Sequence, residues 1–180
     1  MLKYPLSLLF VLSISFSALC QEDRVKGKII KDFGQTFAIE DQDIKTDTSA
    51  ELKVIFDVSK SSEDKSVVNK YIETAARFLN MHANEGMSND QLHVAMTIHG
   101  GAWQDVLDND AYKEKYGVDN PNSKLIAQLN EAGVDIILCG QTASFRGMKK
   151  EHINPNVKMA LSAMTALLQY QANGYKFIKF

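Results

Sequence analysis

Cys139 closes the apolar run Val134-Asp135-Ile136-Ile137-Leu138 and opens the polar turn Gly140-Gln141-Thr142-Ala143-Ser144-Phe145-Arg146-Gly147. A thiol is a nucleophile only as its thiolate, and the thiolate is favoured beside a helix amino terminus or a cation. Residues 140–145 can supply the first, and Arg146 or a protonated His99 the second. His99 follows another apolar run, residues 92–98, directly ahead of Gly100-Gly101, and Asp57 stands near the end of a third, residues 52–58. If the three runs are strands of one parallel sheet, these side chains share the rim where open α/β sheets hold their ligands. Each residue also has a plainer role. Free cysteine is among the most buried residue types, a histidine before Gly-Gly can bond a strand-end backbone group, and Arg146 can pair with an acidic neighbour at an oligomer contact. Cys139 is therefore the leading catalytic candidate, with His99 and Arg146 behind it, while Asp57 reads as a polar strand-end residue.

Other chemistry finds little support. His82, His93, His99 and His152 have no close ligand spacing with cysteine or carboxylate, so no metal site is readable. The turn Ser59-Lys60-Ser61-Ser62-Glu63 lacks the glycines of a phosphate-binding loop, which argues against a nucleotide or flavin cofactor, and no cofactor is expected. A formal net charge of -2 without a basic cluster argues against nucleic acid, because phosphate binding needs a concentrated Lys/Arg face. The seven methionines are scattered in a way that suits packing better than copper binding.

The elements that would position these residues follow from the pattern. With 180 residues and 45% hydrophobic content the chain can build one ordinary core. Residues 1–20 are a different material: Lys3, an apolar run over residues 6–16, and small residues Ala18 and Cys20 match a secretory signal peptide. The run is shorter than the about 20 residues of a bilayer span. The expectation is an exported, periplasmic protein with no membrane span in the mature chain; a lipoprotein anchored through Cys20 is the alternative. In an oxidising compartment Cys139 would lack an internal disulfide partner.

Residues 21–50 read as an amino-terminal arm, with β-prone runs at 28–31 and 36–39 suited to a hairpin. From residue 51 strands alternate with helices, the mark of a parallel α/β sheet. Strands are expected at 52–58, 92–98, 134–138 and 175–180, and long helices at 61–84 and 156–172. Another helix should start at Asn120-Pro121, with Asn as cap and Pro at the first helical position, and stop at Gly133.

Asn120-Pro121-Asn122, the helix leading to Ala132-Gly133-Val134, Cys139-Gly140-Gln141-Thr142 with Arg146-Gly147 behind it, and the stretch from Gln169 to Gly174-Tyr175 together resemble the DsrE/DsrF-like family. The likeness runs from about residue 52 to 180 and is most specific after Asn120. The resemblance implies a three-layer α/β/α sandwich with a mainly parallel sheet, and assembly into a homo-oligomer, a trimer or hexamer. In the family's sulfur-relay members the cysteine matched by Cys139 carries a persulfide. The functional expectation is thus an exported protein that handles sulfane sulfur, as a persulfide or mixed disulfide on Cys139. It would exchange that sulfur with a donor or acceptor protein or a small sulfur compound. The competing expectation is a non-catalytic small-ligand-binding or structural oligomeric module in which Cys139 is inert.

Overall fold

Three runs of apolar and branched residues, too short for helices and separated by helical stretches, form the centre of the molecule. The computed structural model describes residues 24–180; the expected signal peptide and Cys20 lie outside the described residues. Strands β3 (Leu52–Val58), β4 (Leu92–Ile98) and β5 (Asp135–Cys139) join β6 (Lys158–Ala160) and β7 (Lys176–Lys179) in a five-stranded sheet, ordered β6-β5-β4-β3-β7. Every pairing in it is parallel. A separate two-residue ladder pairs β1 (Arg24–Val25) with β2 (Thr36–Phe37) in the arm.

Alternation along the strands sorts side chains between two faces. Val54, Phe56, Val58, Val94, Met96, Ile98, Ile136 and Leu138 point to one face, where they form a single core with Ala75, Ala76 and Leu79 of α1 (Glu73–Asn84) and Leu125, Ile126 and Leu129 of α3 (Ser123–Glu131). The short helix α2 (Asn109–Tyr116), capped by the Asp108 carboxylate, intervenes between β4 and α3. Helix α5 (Ala163–Ala172) contacts all five strands and covers the opposite face, which carries Ile55, Ala95, Thr97 and Ile137. It buries only the small residues Ala163 and Ala166, so its outer side keeps Met164 and Leu168 in solvent. The result is the expected α/β/α sandwich.

The helix boundaries differ from expectation where polar side chains claim the backbone. The helix expected from residue 61 begins at Glu73. Ahead of it, the buried Asn69 donates from Nδ2 to Asp105 Oδ2 at 2.7 Å and from its amide to Asn122 Oδ1 at 2.8 Å, while Ser61 Oγ donates to Asp105 Oδ1 at 2.8 Å. Side-chain bonds of this kind hold chain in turns that would otherwise wind into helix. Asn120 is drawn into the same network and donates to the carbonyls of Asp105 and Leu107 at 3.0 and 2.7 Å; α3 accordingly starts two residues later than expected, at Ser123. The helix expected over residues 156–172 is split. Residues 158–160 pair with β5 as an edge strand, and Ser162 then caps α5 by accepting the Thr165 amide at 3.0 Å.

In the arm, residues 28–31 form bends instead of a strand, because α1 satisfies their backbone. The fully buried Asn80 accepts from the amides of Ile29 and Ile30 at 3.2 and 2.9 Å. Its Nδ2 faces the carbonyls of Ile30, Phe33 and Gly34 at 2.9, 2.9 and 3.0 Å. Ile30, 1% exposed, joins the core beneath. Gly34 has φ +66°, and a Cβ there would stand 2.5 Å from the backbone of Ala76, so glycine is what lets the arm lie flat on α1.

A second close approach shapes the rim. A Cβ on Gly140, the first residue of α4 (Gly140–Phe145), would meet the Ala160 carbonyl oxygen at 2.7 Å and that of Leu161 at 3.2 Å. Gly140→Ala should cost about 1–3 kcal/mol by overpacking, read as a fall in thermal midpoint. Propensity alone predicts the opposite sign, so a stabilised variant would contradict the close packing of β6. Asn80→Ala should strand the arm's backbone groups, lowering stability by about 3 kcal/mol in urea unfolding and opening residues 26–40 to limited proteolysis. An arm still protected at unchanged stability would show that Asn80 does not anchor it.

Candidate functional site

Parallel pairing brings the carboxyl ends of β5, β4 and β3 side by side. Ile98 lies opposite Leu138 and Thr97 opposite Asp57, so His99 and Cys139 continue the same rows on neighbouring strands. The three sequence-predicted positions therefore reach one edge of the sheet, with β4 in the middle.

Cys139 ends β5 and is itself the N-cap of α4; its Sγ accepts a hydrogen bond from the Thr142 amide at 3.5 Å. Burial pushes the thiol pKa up. Against that, the Thr142 side chain and the amides of Thr142, Ala163 and Gln141 lie near enough to favour the charged sulfur, and together they bring its pKa below the ordinary thiol value. Ala163 is the first residue of α5, so amides from two helix starts lie close to one sulfur atom. β6 makes this possible. It runs beside β5, with Ala160 opposite Cys139, and delivers the chain through Leu161 and Ser162 to the start of α5. The residue is only 6% exposed, so this rim position is more enclosed than its place at a strand end implies.

His99 and Asp57 form a pair. His99 Nε2 lies 2.7 Å from Asp57 Oδ1, which also accepts from Thr97 Oγ1 at 3.0 Å, and Lys179 Nζ of β7 lies 2.8 Å from Asp57 Oδ2. Burial pushes the Asp57 carboxyl up, yet the bonds from Lys179 and Thr97 and the charge and bond of His99 outweigh it and hold the pKa below the ordinary carboxylate value. Asp57 is thus the fixed anion that orients the His99 ring, a role passed over in reading the sequence. Lys179 was missed as well. Neither role is encoded by a local pattern: it is the strand order and register that put Asp57 opposite Lys179 on one side and Thr97 on the other.

Arg146 sits elsewhere. It follows α4 at the end away from Cys139, with its guanidinium 5.8 Å from the Trp103 ring centre and 5.4 Å from that of Phe145. The groups that lower the Cys139 pKa are hydrogen-bond donors of the turn and of α5. Among the described residues no group of three or more His, Cys, Asp or Glu side chains is arranged to hold a metal ion, and no helix is long and apolar enough to cross a membrane.

Such an edge can hold a thiolate, or a sulfur anion bonded to it, in a cradle of N–H donors, with an oriented imidazole on the next strand. Comparison with known proteins agrees with the fold. Among solved structures, the protein of unknown function MTH1491 from Methanobacterium thermoautotrophicum superposes with a TM-score of 0.54 at 16% identity, over 72% of this chain and 100% of that one. The ychN protein from E. coli gives 0.52 at 14% identity, over 72% and 99%. No curated protein matches the sequence. The model of the DsrE/DsrF-like family matches residues 53–180, all but the first residue of the five-stranded sheet together with its helices, and the chain belongs to that family.

Proposed function

We propose that this protein handles sulfane sulfur on Cys139, outside the cytoplasm, as a persulfide. The observation that carries the reading is the place of Cys139 as N-cap of α4, its Sγ accepting from the Thr142 amide at 3.5 Å, with the Gln141 and Ala163 amides near enough to lower its pKa as well. Donors placed in this way stabilise negative charge on sulfur, which both the attacking thiolate and the terminal sulfur of a persulfide carry. In the loading step the thiolate attacks a sulfane sulfur of a polysulfide. A new S–S bond forms at Cys139, the donor's S–S bond breaks, and its electron pair leaves with the shortened polysulfide. His99, oriented by Asp57 one strand away, is the group assigned to protonate that leaving sulfur. Arg146 is assigned no step, because the aromatic rings of Trp103 and Phe145 hold it. With Cys139 only 6% exposed, a small sulfur compound fits as donor better than a protein.

Self-association belongs to the same proposal. Leu161, Met164 and Leu168 are 72%, 71% and 69% exposed and form an apolar strip on and just before α5, beside the helix start that cradles Cys139. A strip of this kind is what one subunit of a homo-oligomer offers another.

The burial of Cys139 also favours the competing reading, an inert cysteine in a small-ligand-binding or structural oligomeric module. Intact-mass measurement after incubation with polysulfide separates the two. The wild-type chain should gain the mass of one or more sulfur atoms, released again by a reducing thiol, and Cys139→Ser should gain none while melting at an unchanged temperature. A wild-type mass that does not rise, or an equal gain in Cys139→Ser, makes the inert reading correct.

A further inference from the structure

On the α1 face of the sheet, away from the α5 cover of Cys139, the arm and the edge strand β7 enclose an open cavity of about 640 Å³. Its walls are mainly apolar, formed by Phe37 of the arm, Phe78 and Met81 of α1, Phe56 of β3, and Ile178 and Phe180 at the β7 edge, with Gln35, Thr36, Thr74 and His82 as polar neighbours. Four of the apolar residues keep much of their surface in water: Phe37 at 42%, Met81 at 47%, Ile178 at 38% and Phe180 at 68%. Side chains meant only to close a core would be covered, whereas a concave apolar wall of this size has the form of a small-molecule site.

The lining contains one fixed charge, Arg77. Its Nη2 donates to Thr74 Oγ1 at 2.7 Å and to the Lys70 carbonyl at 3.5 Å, and the hydroxyl is itself tied to that carbonyl at 3.0 Å, so the guanidinium is held in place beside the cavity. Among the described residues none of the ion pairs includes Arg77. Among the described residues most of its five N–H donors therefore have no partner, in a planar fork that matches a carboxylate. An apolar trough ending in one unpaired, preorganised cation is complementary to an amphipathic monoanion. We propose that this cavity binds a free medium-chain monocarboxylate, with its chain along the aromatic wall and its carboxylate on Arg77.

Calorimetric titration of the full chain with decanoate, and with decanol as its neutral counterpart, tests this. Decanoate should bind saturably at one site per chain, and Arg77→Gln should weaken it by about tenfold or more while leaving decanol binding unchanged. Arg77→Lys should recover part of the loss, and Met81→Glu should abolish binding of both, with circular dichroism spectra like the wild type. Absence of saturable decanoate binding, or equal affinity in Arg77→Gln, overturns the proposal. So does binding to anionic phospholipid vesicles without binding of decanoate, which would make the trough a membrane contact. Self-association that Met81→Glu abolishes would assign the trough to a second copy of the chain and overturn it as well.

Discussion

In-register parallel pairing of β5 with β4 on one side and β6 on the other is the constraint on which the rest of the molecule depends. Because all five strands run the same way, each crossover must return the chain to the same starting edge, and every strand's last residue is delivered to the opposite edge. Cys139, His99 and Asp57 meet there for that reason. The pairing of Ala160 with Cys139 goes further, since it fixes where the chain leaves β6 and so where α5 begins. Gly140 permits the close approach. One backbone arrangement thereby supplies the strand end, the α4 start and the α5 start that converge on a single sulfur.

Buried polar groups organise the irregular segments around this sheet. Asn80 replaces a strand ladder for the arm, and Asp57 gathers Thr97, His99 and Lys179 at the centre of the rim. Asp105, 1% exposed, is the hub between the loop after β3 and the segment before α3; burial pushes its carboxyl up despite bonds from Asn69 and Ser61 and the nearby Lys65 charge. Each of these groups is costly to bury alone, and each has several partners, so the loops they tie are specified rather than loosely packed.

The sequence made the sheet legible where periodicity and composition agree. The runs at 52–58, 92–98 and 134–138 are mostly apolar because both faces of these central strands are covered, and each is too short and too rich in branched residues to be mistaken for a helix. Strand β6 was not legible: Lys-Met-Ala at 158–160 has no β-pattern, and only its pairing with β5 makes it a strand. Residues 61–72 carry helical spacing, yet Asn69 and Ser61 spend their hydrogen bonds on Asp105 and hold the segment in turns. At the site, Cys139 and His99 could be named from their places at strand ends. The Asp57 partnership with His99 and the Ala163 amide over the sulfur both arise from strand order and from the β6 crossover, which no local pattern encodes.

The central claim is that hydrogen-bond donors, without a neighbouring cation, lower the pKa of Cys139 in spite of its burial. A depressed pKa means the folded state prefers the ionised sulfur, and the same donors would hold the anionic end of a persulfide. The most direct measurement is the thiolate ultraviolet absorbance as a function of pH, taken as the difference between the wild-type chain and Cys139→Ser, folded and in denaturant. The account predicts a folded-state midpoint below that of the denatured chain. A folded midpoint equal to or above it would show that burial dominates the site, and would contradict the cradle as a device for holding charged sulfur.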